Sequence, residues 1–152
     1  MNDHGRLEAI IGYYNLDLFE EALEEMRSLP DDFRTRPELQ AMETAIHIRQ
    51  QNWDAALKLS RHLCTEIPDH PSPWLDTAYC LHELGQTAEA KIILLSGPDC
   101  LKDQAVYHYN MACYESQLEN YDLARQYLDH ACELDDEFIK LAANDPDLEP
   151  IV

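Results

Sequence analysis

The sequence predicts an all-α solenoid of about four helical hairpins, ending in a short C-terminal capping helix. Three observations predict it. First, alanine stands at positions 22, 56, 90 and 124, a spacing of 34 residues each time. Second, other columns keep this register: Phe19, Trp53, Thr87 and Tyr121 three residues before the alanine; Met26, Ser60, Leu94 and Leu128 four after; Leu29, Leu63, Gly97 and Ala131 seven after. Offsets of 3, 4 and 7 share one face of an α-helix. Third, the chain has only four glycines, and its eight prolines fall mostly between the periodic stretches, where they interrupt no helix interior.

Each unit reads as two antiparallel helices. The repeated alanine removes bulk where two helices approach at the short end of the usual interaxial range. Twelve residues earlier, the column Ile10, Thr44, Ala78, Ala112 supplies the facing surface, small in all but the first unit. The aromatic column is expected to fill the space beside each alanine.

The 152 residues form a single domain in this reading. The first unit, about 3–36, has a clear second helix in LFEEALEEMRSLPDD and an atypical first one, Leu7 to Asn15. The second, about 37–70, opens on Thr35-Arg36-Pro37-Glu38, a capping-box spacing with threonine as the N-cap. The third, about 71–104, opens on Ser72-Pro73, read as an N-cap before a first-turn proline. It turns at Gly85, and Gly97-Pro98 should end its second helix about one turn early. The fourth, about 105–136, contains YNMACYESQLENYDLARQYLDHACELDD. In the remaining segment, about 137–152, Phe138, Ile139 and Leu141 are expected to cover the end of the solenoid, with Asp145-Pro146 stopping the helix.

The period, the alanine, the aromatic and the small residue at these offsets resemble the tetratricopeptide repeat, over about residues 3 to 143. The tail NDPDLEP is similar to the endings of bacterial members. The resemblance implies a right-handed superhelix whose first helices line a concave, ligand-docking face. Position by position, that face takes Leu7, Ile11 and Tyr14, then Ala41, Ala45, Ile48 and Arg49. It continues with Leu75, Tyr79, His82 and Glu83, then Val106, Tyr109, Cys113 and Gln117. The expected partner-binding set is Tyr14, Ile48, Arg49, Leu75, Tyr79, His82, Tyr109, Cys113 and Gln117, with affinity anchored on Tyr79 and Tyr109. The groove is expected to stand open or to be filled by its own side chains or the C-terminal segment. The family's clamp for acidic chaperone tails needs lysine, arginine and asparagine. Asn110 lies near a clamp-like place, but no lysine falls on an expected first helix, so acidic tails are not expected ligands.

Charge points the same way. Thirty acidic against eleven basic residues give a formal net charge of −19, which disfavours nucleic acid and anionic membrane surfaces as partners. No stretch approaches the roughly 20 apolar residues of a membrane span, and the N-terminal residues MNDHGRLEAI lack the pattern of a secretory signal. Five cysteines with no CxxC pair read as reduced thiols in a cytoplasmic protein. The pairs His62/Cys64, Cys80/His82 and His130/Cys132 are two apart, so on a helix they diverge and cannot chelate one ion. No metal or other cofactor is expected. Nothing resembles a phosphate loop, a nucleophile elbow or a metalloprotease helix, so no enzyme is expected. The leading functional expectation is an adaptor or scaffold that binds a protein or peptide, as a monomer or homodimer. The alternatives are a dedicated chaperone for a secreted or unstable client, and a self-assembling structural protein.

Overall fold

The computed structural model describes residues 2–152. These form α1 (Asp3–Asn15), α2 (Phe19–Ser28), α3 (Asp31–Arg34), α4 (Pro37–Arg49), α5 (Trp53–Glu66), α6 (Pro71–Glu83), α7 (Thr87–Ser96), α8 (Ala105–Gln117), α9 (Tyr121–Leu134) and α10 (Glu137–Ala143). Two 3₁₀ segments, Asp99–Asp103 and Pro146–Ile151, complete them, and no strand occurs among the described residues. The hairpins are α1–α2, α4–α5, α6–α7 and α8–α9, each packed on the next.

The repeated columns are the packing surface. Ala22, Ala56, Ala90 and Ala124 are all fully buried, as are Ile10, Thr44, Ala78 and Ala112 opposite them. The aromatic column behaves less uniformly, for a simple reason. Trp53 lies edge-on to Tyr79 of the next hairpin at 5.6 Å, and Phe19 lies under the Arg49 guanidinium of the next hairpin at 5.2 Å. Tyr121 is met by no further hairpin among the described residues and is 37% exposed.

Each hairpin turns through one left-handed residue, at Asp17, Gln51, Gly85 and Glu119. The amide that follows it donates back into the first helix: Leu18 to Tyr13 O, Asn52 to His47 O, Gln86 to Leu81 O and Asn120 to Glu115 O, at 2.8–2.9 Å. This bond occupies a helix-terminal carbonyl that would otherwise lack a partner. The third turn alone has the glycine the conformation favours.

Two helix starts differ from the sequence expectation. Thr35 is not the N-cap of α4; Arg36 is, and the Thr35 hydroxyl donates backwards to Asp31 O of the short α3. Ser72 is not the N-cap of α6, which starts at Pro71 with His70 as its cap. Pro71 already suits the first helical position, where no amide is missed. Helix α7 does end early: it has 10 residues against 14 in α5 and α9. Gly97 is extended there, and a Cβ would run into Leu101 and lie 3.3 Å from Trp74. The constraint on a side chain there comes from space, met first by the tip of the Leu101 side chain, and not from φ.

The core lies in two bodies. One gathers Ile10, Leu23, Met26, Leu39 and Ile46 from the first hairpin and α4; the other runs from Leu81 through Met111 to Leu148. Between them sit buried hydroxyls, Thr44, Ser60 and Thr77, each bonded to a carbonyl of its own helix.

The C-terminal cover is built differently from expectation. Ile139 and Leu141 remain 58% and 55% exposed. The covering is done by Phe138, Ala142 and Leu148. After α10 the chain bends at Asp145 and lays its last 3₁₀ turn against α8.

Candidate functional site: the inner helices and the C-terminal strap

The first helices of the hairpins carry every residue of the expected partner-binding set. Tyr14 on α1 and Ile48 on α4 are half-buried, and Tyr14 lies 6.2 Å from Phe19. Arg49, at the end of α4, is exposed and reaches Asp17 of the first turn at 3.2 Å. On α6, Leu75 is half-buried and Tyr79 is 38% exposed. Burial and nearby carboxylates, Glu83 first, raise the Tyr79 phenol above its ordinary value.

His82, Tyr109, Cys113 and Gln117 meet the C-terminal segment. His82 Nε2 lies 2.7 Å from Asp147 Oδ2, while its Nδ1 pairs with the Thr87 hydroxyl at 2.9 Å. The Tyr109 hydroxyl donates to Asp145 Oδ2 at 2.6 Å, and the Gln117 amide donates to Asp147 O at 3.3 Å. The Cys113 thiol points at the same Asp145 oxygen, 3.7 Å away. The Tyr109 ring stacks on Phe138 with centroids 4.7 Å apart. Leu148 is completely buried beside them. Asp145 also accepts from its own Asp147 amide at 3.0 Å, so one short acidic segment is held at both carboxylates and at its leucine.

Burial, followed by the hydrogen bond to Asp145, drives the Tyr109 hydroxyl upward, and burial with Asp145 and Asp147 does the same to the Cys113 thiol. A raised thiol pKa means a protonated and poorly nucleophilic sulfur. Cys113, Asp145 and Asp147 place three possible ligand atoms within 4.8 Å of one another. Tyr109, His82 and the Asp147 amide already engage those carboxylates. His108 is engaged elsewhere, bonding Lys102 O at 2.8 Å and lying 4.2 Å from the His130 ring.

Between α4 and α6 lies a pocket of about 350 Å³, walled by Pro37, Ala41, Leu63, Ile67 and Pro73, with Asp76 and Glu38 in its lining. Burial pushes the Asp76 carboxyl up to about 6.

A sequence model of the tetratricopeptide repeat matches residues 47–112, the stretch from the end of α4 into α8. The four stacked hairpins and their buried alanines extend the same architecture beyond the matched stretch. The fold is a tetratricopeptide-type solenoid. Solved structures of MamA have a similar fold. MamA from AMB-1 superposes with a TM-score of 0.75 at 17% identity, covering 87% of this chain and 78% of that one. MamA from Desulfovibrio magneticus RS-1 gives 0.74 at 17% identity, covering 93% and 81%. No curated protein sequence matches the chain.

Within this repeat protein, reasoning from sequence missed two features. The first is the role of Asp145 and Asp147. Their signal was an acidic Asp-Pro-Asp-Leu tail following inner helices rich in tyrosine and histidine. The second is Asp76, whose signal was a lone acid one residue after Leu75 on a first helix.

Proposed function

We propose that the chain is an adaptor that binds a protein or peptide partner along its inner face and performs no chemistry itself. Within the expected binding set, Tyr14, Ile48, Arg49, Leu75 and Tyr79 form the recognition surface. His82, Tyr109, Cys113 and Gln117 serve as the seat of the protein's own C-terminal strap. The observation that carries this reading is Tyr79, a tyrosine at the middle of the inner face. It is braced edge-on by Trp53 at 5.6 Å yet still 38% exposed. A braced aromatic presents a large contact area at low entropic cost on binding.

No side chain is assigned a catalytic role and no cofactor is invoked. The thiols with resolved shifts are all raised, which leaves them protonated. The net charge of −19 argues against nucleic acid, anionic membranes and acidic chaperone tails as partners.

The test is capture of the partner from native extract by the wild-type chain and by Tyr79→Ala. The variant is expected to lose at least tenfold in affinity for the captured protein with helicity and melting temperature unchanged. Undiminished capture would remove the inner face from consideration. A second reading, self-assembly, is favoured by Ile139 and Leu141 exposed at one end and Ile11 at the other. Light scattering across protein concentration separates the two, since only the second predicts mass growth without a partner.

A further inference from the structure

We propose that the pocket between α4 and α6 receives a single basic side chain, lysine or arginine, from the bound partner, with Asp76 as its counter-ion. This rests on the reading of the inner face as the docking surface, and it adds the chemistry of one contact.

The walls of the pocket are aliphatic and prolyl: Pro37 and Ala41 from α4, Leu63 and Ile67 at the end of α5, and Pro73 from α6. Its volume of about 350 Å³ accommodates a long unbranched side chain. One carboxylate in an apolar lining selects one class of occupant, a cation carried on an apolar stem. Lysine and arginine bury their methylenes along such walls and present charge at the end. A neutral apolar side chain would fill the walls and leave the carboxylate buried without a partner, which is costly. An anion would be repelled outright.

The surroundings of Asp76 support the same occupant. Burial is the cause of its raised pKa, and no cation or donor among the described residues offsets it. The groups facing it are Glu38 from α4, Cys64 from α5, His70 before α6 and Cys80 on α6 itself. Burial raises both thiols, Cys80 to about 12, so they stay neutral and supply no charge. Glu38 adds a second negative charge to the lining. The protein's net charge of −19 draws a basic segment toward the molecule at long range.

The experiment is proton–nitrogen correlation NMR on the full chain, titrated with acetylated Ala-Ala-Xaa-Ala-Ala amides in which Xaa is arginine, lysine or norleucine. The arginine and lysine peptides are expected to move the amides of Ala41, Ile67 and Asp76, with at least fivefold higher affinity than the norleucine peptide. Asp76→Asn is expected to abolish that preference while leaving the spectrum elsewhere intact. In a His70→Gln background, which removes the adjacent imidazole, affinity for the arginine peptide should fall as pH drops below about 6. Equal binding of norleucine and arginine, a preference that survives Asp76→Asn, or no shift at these amides would each overturn the proposal. None of those outcomes depends on partner capture by Tyr79→Ala, so the docking reading and the basic-pocket reading can fail separately.

Discussion

Helices α1 and α8 hold the same place in their hairpins and have 13 residues each, yet α1 buries one residue and α8 buries nine. The difference comes from their neighbours. Helix α8 is packed by α7, α9, the 3₁₀ turn at Asp99–Asp103 and the C-terminal strap. Among the described residues α1 meets chiefly α2. In a solenoid each unit hides its apolar side only against adjacent units, so the ends are the weak places unless they are capped. Among the described residues, the C-terminal segment covers α8 and α9, and no comparable segment packs on α1. The buried hydroxyls of Thr44, Ser60 and Thr77 mark the boundary between the two bodies of core. The first helices divide in the same way: the strap bonds His82, Tyr109 and Gln117, whereas Tyr79 remains 38% exposed.

The sharpest way to break this comparison is to remove one cation from each half. Glu115 on α8 is fully buried, held by Lys91 Nζ at 2.6 Å and by the Asn120 amide at 3.1 Å. Taking away Lys91 leaves a buried carboxylate without its counter-charge, a loss of about 3–5 kcal/mol. Arg49 and Asp17 also pair, at 3.2 Å, but both side chains are more than half exposed, and such pairs contribute about 0–1 kcal/mol. Lys91→Ala is therefore expected to lower the urea midpoint sharply, and Arg49→Ala hardly at all. Comparable losses would mean that the two halves are one cooperative core.

A smaller effect of opposite sign is expected at the boundary. The Asp76 carboxyl has its pKa raised by burial from 3.8 to about 6. Between those values the folded state binds more protons than the unfolded state, so stability declines as pH rises through this window and remains lower above it. Asp76→Asn removes that penalty, and at pH 7 it should stabilise the chain by about 1–3 kcal/mol. The gain should vanish toward pH 4. Urea unfolding of both proteins at pH 4, 6 and 7 checks it, and a gain that persists undiminished at pH 4 would rule out charge burial as the cause. A carboxylate that costs stability in the free protein is the pattern expected of a group retained for binding.

What the sequence made legible follows from what repeats. The alanine column, the hairpin order and the early end of α7 were all readable, because each is set by steric demands that recur or by a Gly-Pro break. Features set once were not readable. Whether Thr35 or Arg36 caps α4 turns on the short α3, which occurs in no other hairpin. The seat of the strap at His82, Tyr109 and Gln117 depends on residues 30 to 65 positions apart in sequence, and no local pattern encodes such a meeting. The nine expected residues all lie on first helices, but which of them are covered depends on the tail, which bonds His82, Tyr109 and Gln117.

The turns give the mildest comparison and the cleanest one, since four equivalent positions carry four different demands on the side chain. Asp17, Gln51, Gly85 and Glu119 all have φ between 57° and 80°. A side chain with a Cβ costs about 1–2 kcal/mol in that conformation, aspartate somewhat less because it is tolerated there. Glycine avoids the strain but loses more freedom on folding. The net expectation for Glu119→Gly and Gln51→Gly is a gain of about 0.5–1 kcal/mol, smaller for Asp17→Gly, and a loss of similar size or more for Gly85→Ala. Thermal melts of the four variants would rank them. If Glu119→Gly loses stability, the glutamate must be making a contact in the fourth turn that outweighs its backbone strain, and the turns could no longer be treated as equivalent.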